Sequence, residues 1–231
     1  MHPELPLVVE SREGHEPLPF TVRRIVCGGY TGRNRAEVER HTKELEALGI
    51  APPKETPIFF SVASYLATVG SAIEVQSPFT SGEVEFVLLF GPAGPWVTVG
   101  SDQTDRFFER HSVAAAKQLC PKVIAGTVWP VAEVEAHWDA LVLRSWVRSG
   151  RKRRLYQEAL LATMLPPAAL VPGVRRHAGR ELEGVVFFSG TVPTVAGEVV
   201  YGDAWELELA DPRLGRAIRT QYTVQVLDRK R

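Results

Sequence analysis

The chain predicts an α+β fold dominated by strands. Three observations carry this expectation. β-branched and aromatic residues gather in short runs, most densely in the last third; glycines and prolines punctuate those runs; and few segments show the spacing of an amphipathic helix. With 231 residues, 45% of them hydrophobic, the chain is long enough to bury a sizeable core, and we read 1–231 as one domain.

Residues 5–9 and 20–27 read as strands, separated by the polar, proline-bearing stretch 10–19. Gly28 and Gly29 break the pattern. Asn34 followed by Glu37 resembles a capping box, and Val38, Leu45 and Leu48 recur at helical spacing until Gly49 stops the helix. After the proline-rich connection 51–57, strands are expected at 58–62 and 73–75, with a turn or helix at 64–68. Residues 83–90 form an increasingly apolar strand, 91–95 a turn and 96–99 a second strand. A helix is expected over 104–119, ended by Pro121, and a short one over 133–138. Residues 141–147 read as a strand, 149–154 as a basic turn, and 155–165 as a helix closed by Pro166 and Pro167. Strands at 185–189, 205–209 and 220–226 complete the chain.

The 27 Lys and Arg balance the 27 Asp and Glu, so no global field draws a nucleic acid or an anionic membrane. The basic clusters at 149–154 and 228–231 lack interleaved aromatics and read as solvated turns. Cys27 and Cys120 stand far apart and in no metal-ligand spacing, which points away from a disulfide framework or zinc site and toward a reducing, cytoplasmic setting. The N-terminus has no basic segment followed by an apolar one, and no apolar run approaches membrane-spanning length.

The chemistry concentrates in Ser81-Gly82-Glu83-Val84-Glu85-Phe86. A strand period of two puts Glu83 and Glu85 on one face, roughly 6 to 7 Å apart, with Phe86, Leu88 and Phe90 on the other. Two such carboxylates raise each other's pKa or share a cation, for which oxygen ligands favour Mg²⁺, Mn²⁺ or Ca²⁺; on this pattern alone a solvated strand end is the commoner explanation. Ser101-Asp102-Gln103-Thr104-Asp105-Arg106 follows at the next strand-to-helix junction. There Asp102 is a third candidate ligand or a plain helix cap. His41 lies on the Val38 stripe, one turn from Glu44, either as an oriented base or as a satisfied core histidine.

Together these residues resemble the fumarylacetoacetate hydrolase-like superfamily, which carries a Glu-x-Glu pair followed by Asn-Asp-x-Ser/Thr-x-Arg. Glu83, Glu85, Asp102, Thr104 and Arg106 match, as do Lys117, the 121–130 stretch, Gly150, the Ser189-Gly190-Thr191-Val192-Pro193 loop, Gly202-Asp203 and the His41-x-x-Glu44 pair. The resemblance spans 25–226 and leaves 1–24 as N-terminal strands. Ser101 replaces the usual Asn and Phe107 the usual Asp, which marks a divergent bacterial-type subfamily.

The resemblance implies a mixed β-roll with peripheral helices, forming a single catalytic domain, usually in a homodimer. It implies one Mg²⁺ or Mn²⁺ on Glu83, Glu85 and Asp102, chelating a small anionic oxo acid. His41 would be the water-activating base, Glu44 its orienter, and Lys117 the partner of a developing oxyanion. Arg106, Thr191, Gly190 and Gln103 would bind substrate. The implied reaction is hydrolysis of a carbon-carbon bond in an acylpyruvate-like β-diketo acid through a metal-bound enolate. Decarboxylation or isomerisation of an oxo acid on the same metal is the alternative, and a non-catalytic small-molecule binding protein the second.

Overall fold

In the computed structural model, which describes residues 2–47, 53 and 55–227, the apolar runs of the sequence pair into two large sheets. A ten-stranded mixed sheet runs in the order Gly14–Thr21, Glu4–Ser11, Thr127–Pro130, Gly94–Asp102, Val84–Gly91, Val185–Phe188, Arg24–Gly29 and Ile58–Val62. The short strand Lys122–Ile124 pairs with both Gly94–Asp102 and Ala67–Thr68. A five-stranded sheet runs Lys152–Leu160, Val142–Ser149, Ala204–Asp211, Arg216–Val226 and Ala72–Val75.

Val84–Gly91 is buried on both faces, and this accounts for its nearly unbroken apolar sequence. Phe86 and Leu88 join Val97, Val99, Leu143, Trp205, Leu207 and Tyr222 in one core cluster. Val87 and Leu89 point the other way, into a second cluster with Leu5, Leu7, Val22 and Phe188. Each such side chain contributes about 1.5 to 3 kcal/mol of burial, so the strand that carries Glu85 is firmly anchored.

The structure corrects several expectations. The stretch 10–19 is not a connection: Gly14–Thr21 pairs residue for residue with Glu4–Ser11 as a hairpin, and a separate strand begins at Arg24. Its prolines are tolerated because this strand lies at the sheet edge. The expected helix over 155–165 is instead the strand Lys152–Leu160, paired across the Gly150 turn with Val142–Ser149. Cross-strand pairing there overrides local helix propensity, and Gly150 takes the left-handed turn conformation at φ 58°. Pro166 and Pro167 do not close a helix but open one, Pro167–Ala178, because proline is suited to a first turn.

The helix expected over 104–119 splits into Arg106–Glu109 and Val113–Gln118. The second piece has its own cap, with Ser112 Oγ accepting from the Ala115 N–H at 3.2 Å. The helix expected at 133–138 is a turn of α-helix, Val131–Val134, continued by a 3-10 segment, Glu135–Ala140. Helix Arg35–Ala47 forms behind Asn34, whose Oδ1 accepts from the Ala36 N–H. Leu48 and Gly49, expected to end it, lie outside the described residues, as do the side chains of His41, Glu44 and Leu45. No helix among the described residues is long and apolar enough to cross a membrane.

Candidate metal and substrate site

Antiparallel register brings the three acids together. Val84 pairs with Ser101 and Glu85 with Gly100, and the Asp102 N–H donates to the Glu83 carbonyl at 3.1 Å. Glu83, Glu85 and Asp102 therefore share one face, since directly opposed residues hold their Cβ atoms about 4.5 to 5.5 Å apart. One oxygen from each carboxylate lies within 4.8 Å of the other two. Position 100 must be glycine: a Cβ there would meet the Val123 carbonyl at 2.6 Å and Val87 Cγ2 at 2.7 Å.

On the other side of Asp102, Lys122 occupies the opposite position of the neighbouring strand. Its ammonium lies 2.8 Å from Asp102 Oδ1, an ion contact without directed hydrogen-bond geometry, and donates to the carbonyls of Gln103 and Lys117. Lys117, from helix Val113–Gln118, donates to Asp102 Oδ2 at 2.5 Å and lies 3.7 Å from Glu83 Oε2. Arg106 spends its fork on Glu83 at 2.9 Å, on Glu109 and on Ser81 Oγ.

Charge balance differs among the three acids. Burial alone would raise the Asp102 pKa, but Lys117 and Lys122 outweigh it and hold the carboxyl well below the usual range. Glu85 goes the other way: burial, then the neighbouring Asp102 charge, pushes it well above its ordinary value despite Lys117. Lys117 is buried, yet Asp102 and Glu83 keep it charged, with its pKa raised. One Glu85 oxygen accepts the Gly190 N–H at 2.8 Å, whereas Oε1 is buried without a hydrogen-bond partner. A buried, unpartnered oxygen on one of three clustered carboxylates fits a hard divalent cation, which would offset the cost of ionising Glu85.

Glu83, Glu85 and Lys117 form one wall of a cavity of about 480 Å³. The remaining described lining includes residues 28–32, the first turn of helix Arg35–Ala47, Phe60, Glu109, Val113, part of the segment Glu158 to Met164, and the loop after Ser189. That loop is held by Gln157, whose Nε2 donates to Thr191 Oγ1 and the Val192 carbonyl while its Oε1 accepts the Val84 N–H.

The residues expected to bind substrate separate into groups. Thr191 lines the cavity, but its hydroxyl is engaged by Gln157 and by the Val84 carbonyl. Gly190 holds Glu85. Gln103 is wholly buried between Thr80 and the Tyr222 hydroxyl, and Arg106 braces Glu83, so the side chains of both serve the scaffold in this geometry. Lys122 and Gln157 were missed by sequence reasoning. A lysine opening the apolar run Lys122-Val123-Ile124 was the available clue to the first; nothing local marks the second.

The family described as "Protein of unknown function (DUF2848)" matches residues 28–222. No curated protein matches the sequence. Among solved structures, a Yersinia pestis CO92 protein described under the fumarylacetoacetate hydrolase family is similar at 18% identity and TM-score 0.64, covering 93% of this chain and 99% of that one. A 2-keto-3-deoxy-D-arabinonate dehydratase complexed with magnesium and 2,5-dioxopentanoate is 14% identical at TM-score 0.59, covering 91% and 77%. 4-Oxalocrotonate decarboxylase from Pseudomonas putida G7, complexed with calcium and acetate, is 15% identical at TM-score 0.55, covering 87% and 76%. The chain belongs to the DUF2848 family, and its fold is that of the fumarylacetoacetate hydrolase-like proteins.

Proposed function

We propose that this chain is a divalent-cation-dependent enzyme that hydrolyses a carbon-carbon bond in a small acylpyruvate-like 2-oxo acid. The observation that carries the reading is the unpartnered, buried Glu85 Oε1 beside Glu83, Asp102 and the buried Lys117, at the wall of a cavity of substrate size. Glu83, Glu85 and Asp102 would hold Mg²⁺ or Mn²⁺, which when bound supplies a Lewis acid for the two oxygens of the oxo acid. Lys117 presents a fixed positive charge where negative charge develops on the substrate oxygen as the bond breaks. Lys117 and Lys122 keep Asp102 ionised, and Arg106 aims Glu83. His41, oriented by Glu44, is the proposed base that activates water for attack on the acyl carbonyl, releasing a carboxylic acid and pyruvate.

A second reading, decarboxylation or isomerisation of an oxo acid, draws on the same charge stabilisation and needs no activated water. The similarity to a protein named as a decarboxylase favours it equally. Product analysis by NMR separates the two. Acetopyruvate converted to acetate and pyruvate, and lost in His41→Ala, supports hydrolysis. Oxaloacetate converted to pyruvate and carbon dioxide, with acetopyruvate inert and His41→Ala unimpaired, supports the second reading.

A further inference from the structure

The cavity is furnished unevenly along its walls. Glu83, Glu85 and Lys117 supply the candidate metal-binding and oxyanion groups, and Lys117 is the one cation among the described lining side chains. That cation is already committed to Asp102 and Glu83. The rest of the described lining combines apolar side chains, among them Val38, Phe60, Met164 and Val195, with neutral polar ones such as Asn34 and Thr194. The further charged groups among the described lining residues are acidic: Glu37, Glu109 and Glu158. Glu109 and Glu158 draw on Arg106 and Arg144, neither of which lines the cavity.

An anionic group on the tail of a substrate would therefore lose water among carboxylates and uncharged side chains without gaining a cation from the described residues. Burial of an unpaired charge is strongly unfavourable, whereas an alkyl or aryl tail gains from the same surroundings.

We propose that this site selects monoanionic 2-oxo acids: one oxo-acid head at Glu83, Glu85 and Lys117, and an uncharged, apolar tail against lining residues such as Val38, Phe60 and Val195. Oxo dicarboxylates long enough to carry their second carboxylate among Glu37, Glu109, Glu158 and the apolar lining are disfavoured, because the described side chains there offer it no cation. The inference rests on the oxo-acid reading of the site given above.

The test is calorimetric binding to the full-length, Mg²⁺-loaded protein, using 2-oxohexanoate and 2-oxoadipate, which share a six-carbon chain and differ in the terminal carboxylate. Oxalate, which has a head and no tail, is the control. The proposal expects oxalate to bind and 2-oxohexanoate to bind at least about tenfold more tightly than 2-oxoadipate, equivalent to about 1.4 kcal/mol. Val195→Lys supplies the missing cation at a position that lines the cavity yet is 61% exposed, so it leaves the fold intact. It should narrow the gap by strengthening 2-oxoadipate binding. Oxalate binding combined with equal or tighter binding of 2-oxoadipate in the wild type overturns the tail selectivity alone. Failure of oxalate to bind overturns the oxo-acid head site, and the selectivity with it.

Discussion

The backbone N–H of Gly190 donates to Glu85 Oε2 at 2.8 Å, tying the loop after strand Val185–Phe188 to a buried carboxylate 105 residues earlier in the chain. Gly190 adopts φ 87°, and a Cβ there would meet Thr31 Oγ1 at 2.4 Å. Both constraints require glycine. Gly190→Ala is expected to destabilise the protein by about 1 to 3 kcal/mol and to weaken metal binding by displacing the N–H that aims Glu85. Urea denaturation and calorimetric Mg²⁺ titration measure the two effects.

Lys122 is fully buried against Asp102, with its ammonium also donating to the Gln103 and Lys117 carbonyls. Replacing it with methionine keeps most of the volume and removes one of the two charges that compensate Asp102. Lys122→Met should cost about 3 to 5 kcal/mol in denaturant unfolding, well above the loss expected at a surface lysine.

Arg106 braces Glu83 while holding Glu109 and Ser81. Lysine keeps the charge but cannot reproduce the planar fork. Arg106→Lys is expected to lower Mg²⁺ affinity by about 10- to 100-fold, the usual effect of losing a group that orients a ligand, while far-ultraviolet circular dichroism stays unchanged.

The raised pKa of Glu85 has a stability consequence with a definite sign. Without metal, the folded protein retains the Glu85 proton at pH values where the unfolded chain has released it. Its contribution is fully present below the ordinary glutamate value of about 4.3 and is lost as pH rises through the folded-state value. Asp102, with a depressed pKa, is lost only in strong acid. In EDTA, denaturation midpoints should therefore fall as pH rises above the ordinary glutamate range, and Glu85→Gln should flatten that fall. Saturating Mg²⁺ should reverse the trend, since binding the cation displaces the proton. A midpoint that rises with pH equally in wild type and Glu85→Gln would contradict the assignment.

The site was legible wherever it follows strand geometry. A period of two places Glu83 and Glu85 on one face, and the short turn between residues 91 and 95 returns the chain so that Asp102 comes opposite. Lys122 was not legible, because its proximity to Asp102 depends on a third strand whose register no local pattern reveals. The strand Lys152–Leu160 was hidden for a related reason: Gln157-Glu158-Ala159-Leu160-Leu161 has good helix propensity, and only pairing with Val142–Ser149 makes it extended. Arg106 and Gln103 show the limit of carrying roles by position. Both sit where sequence placed them, at the carboxylate cluster, yet their side chains are committed to protein partners.

The most direct test of the central claim is calorimetric titration of Mg²⁺ and Mn²⁺, with and without oxalate, into the wild type and a Glu83→Ala, Glu85→Ala variant whose folding is verified by circular dichroism. Cation binding that oxalate strengthens, present in the wild type and absent from the folded variant, is the predicted result. Absence of cation binding in the wild type, or equal binding in the variant, would contradict it.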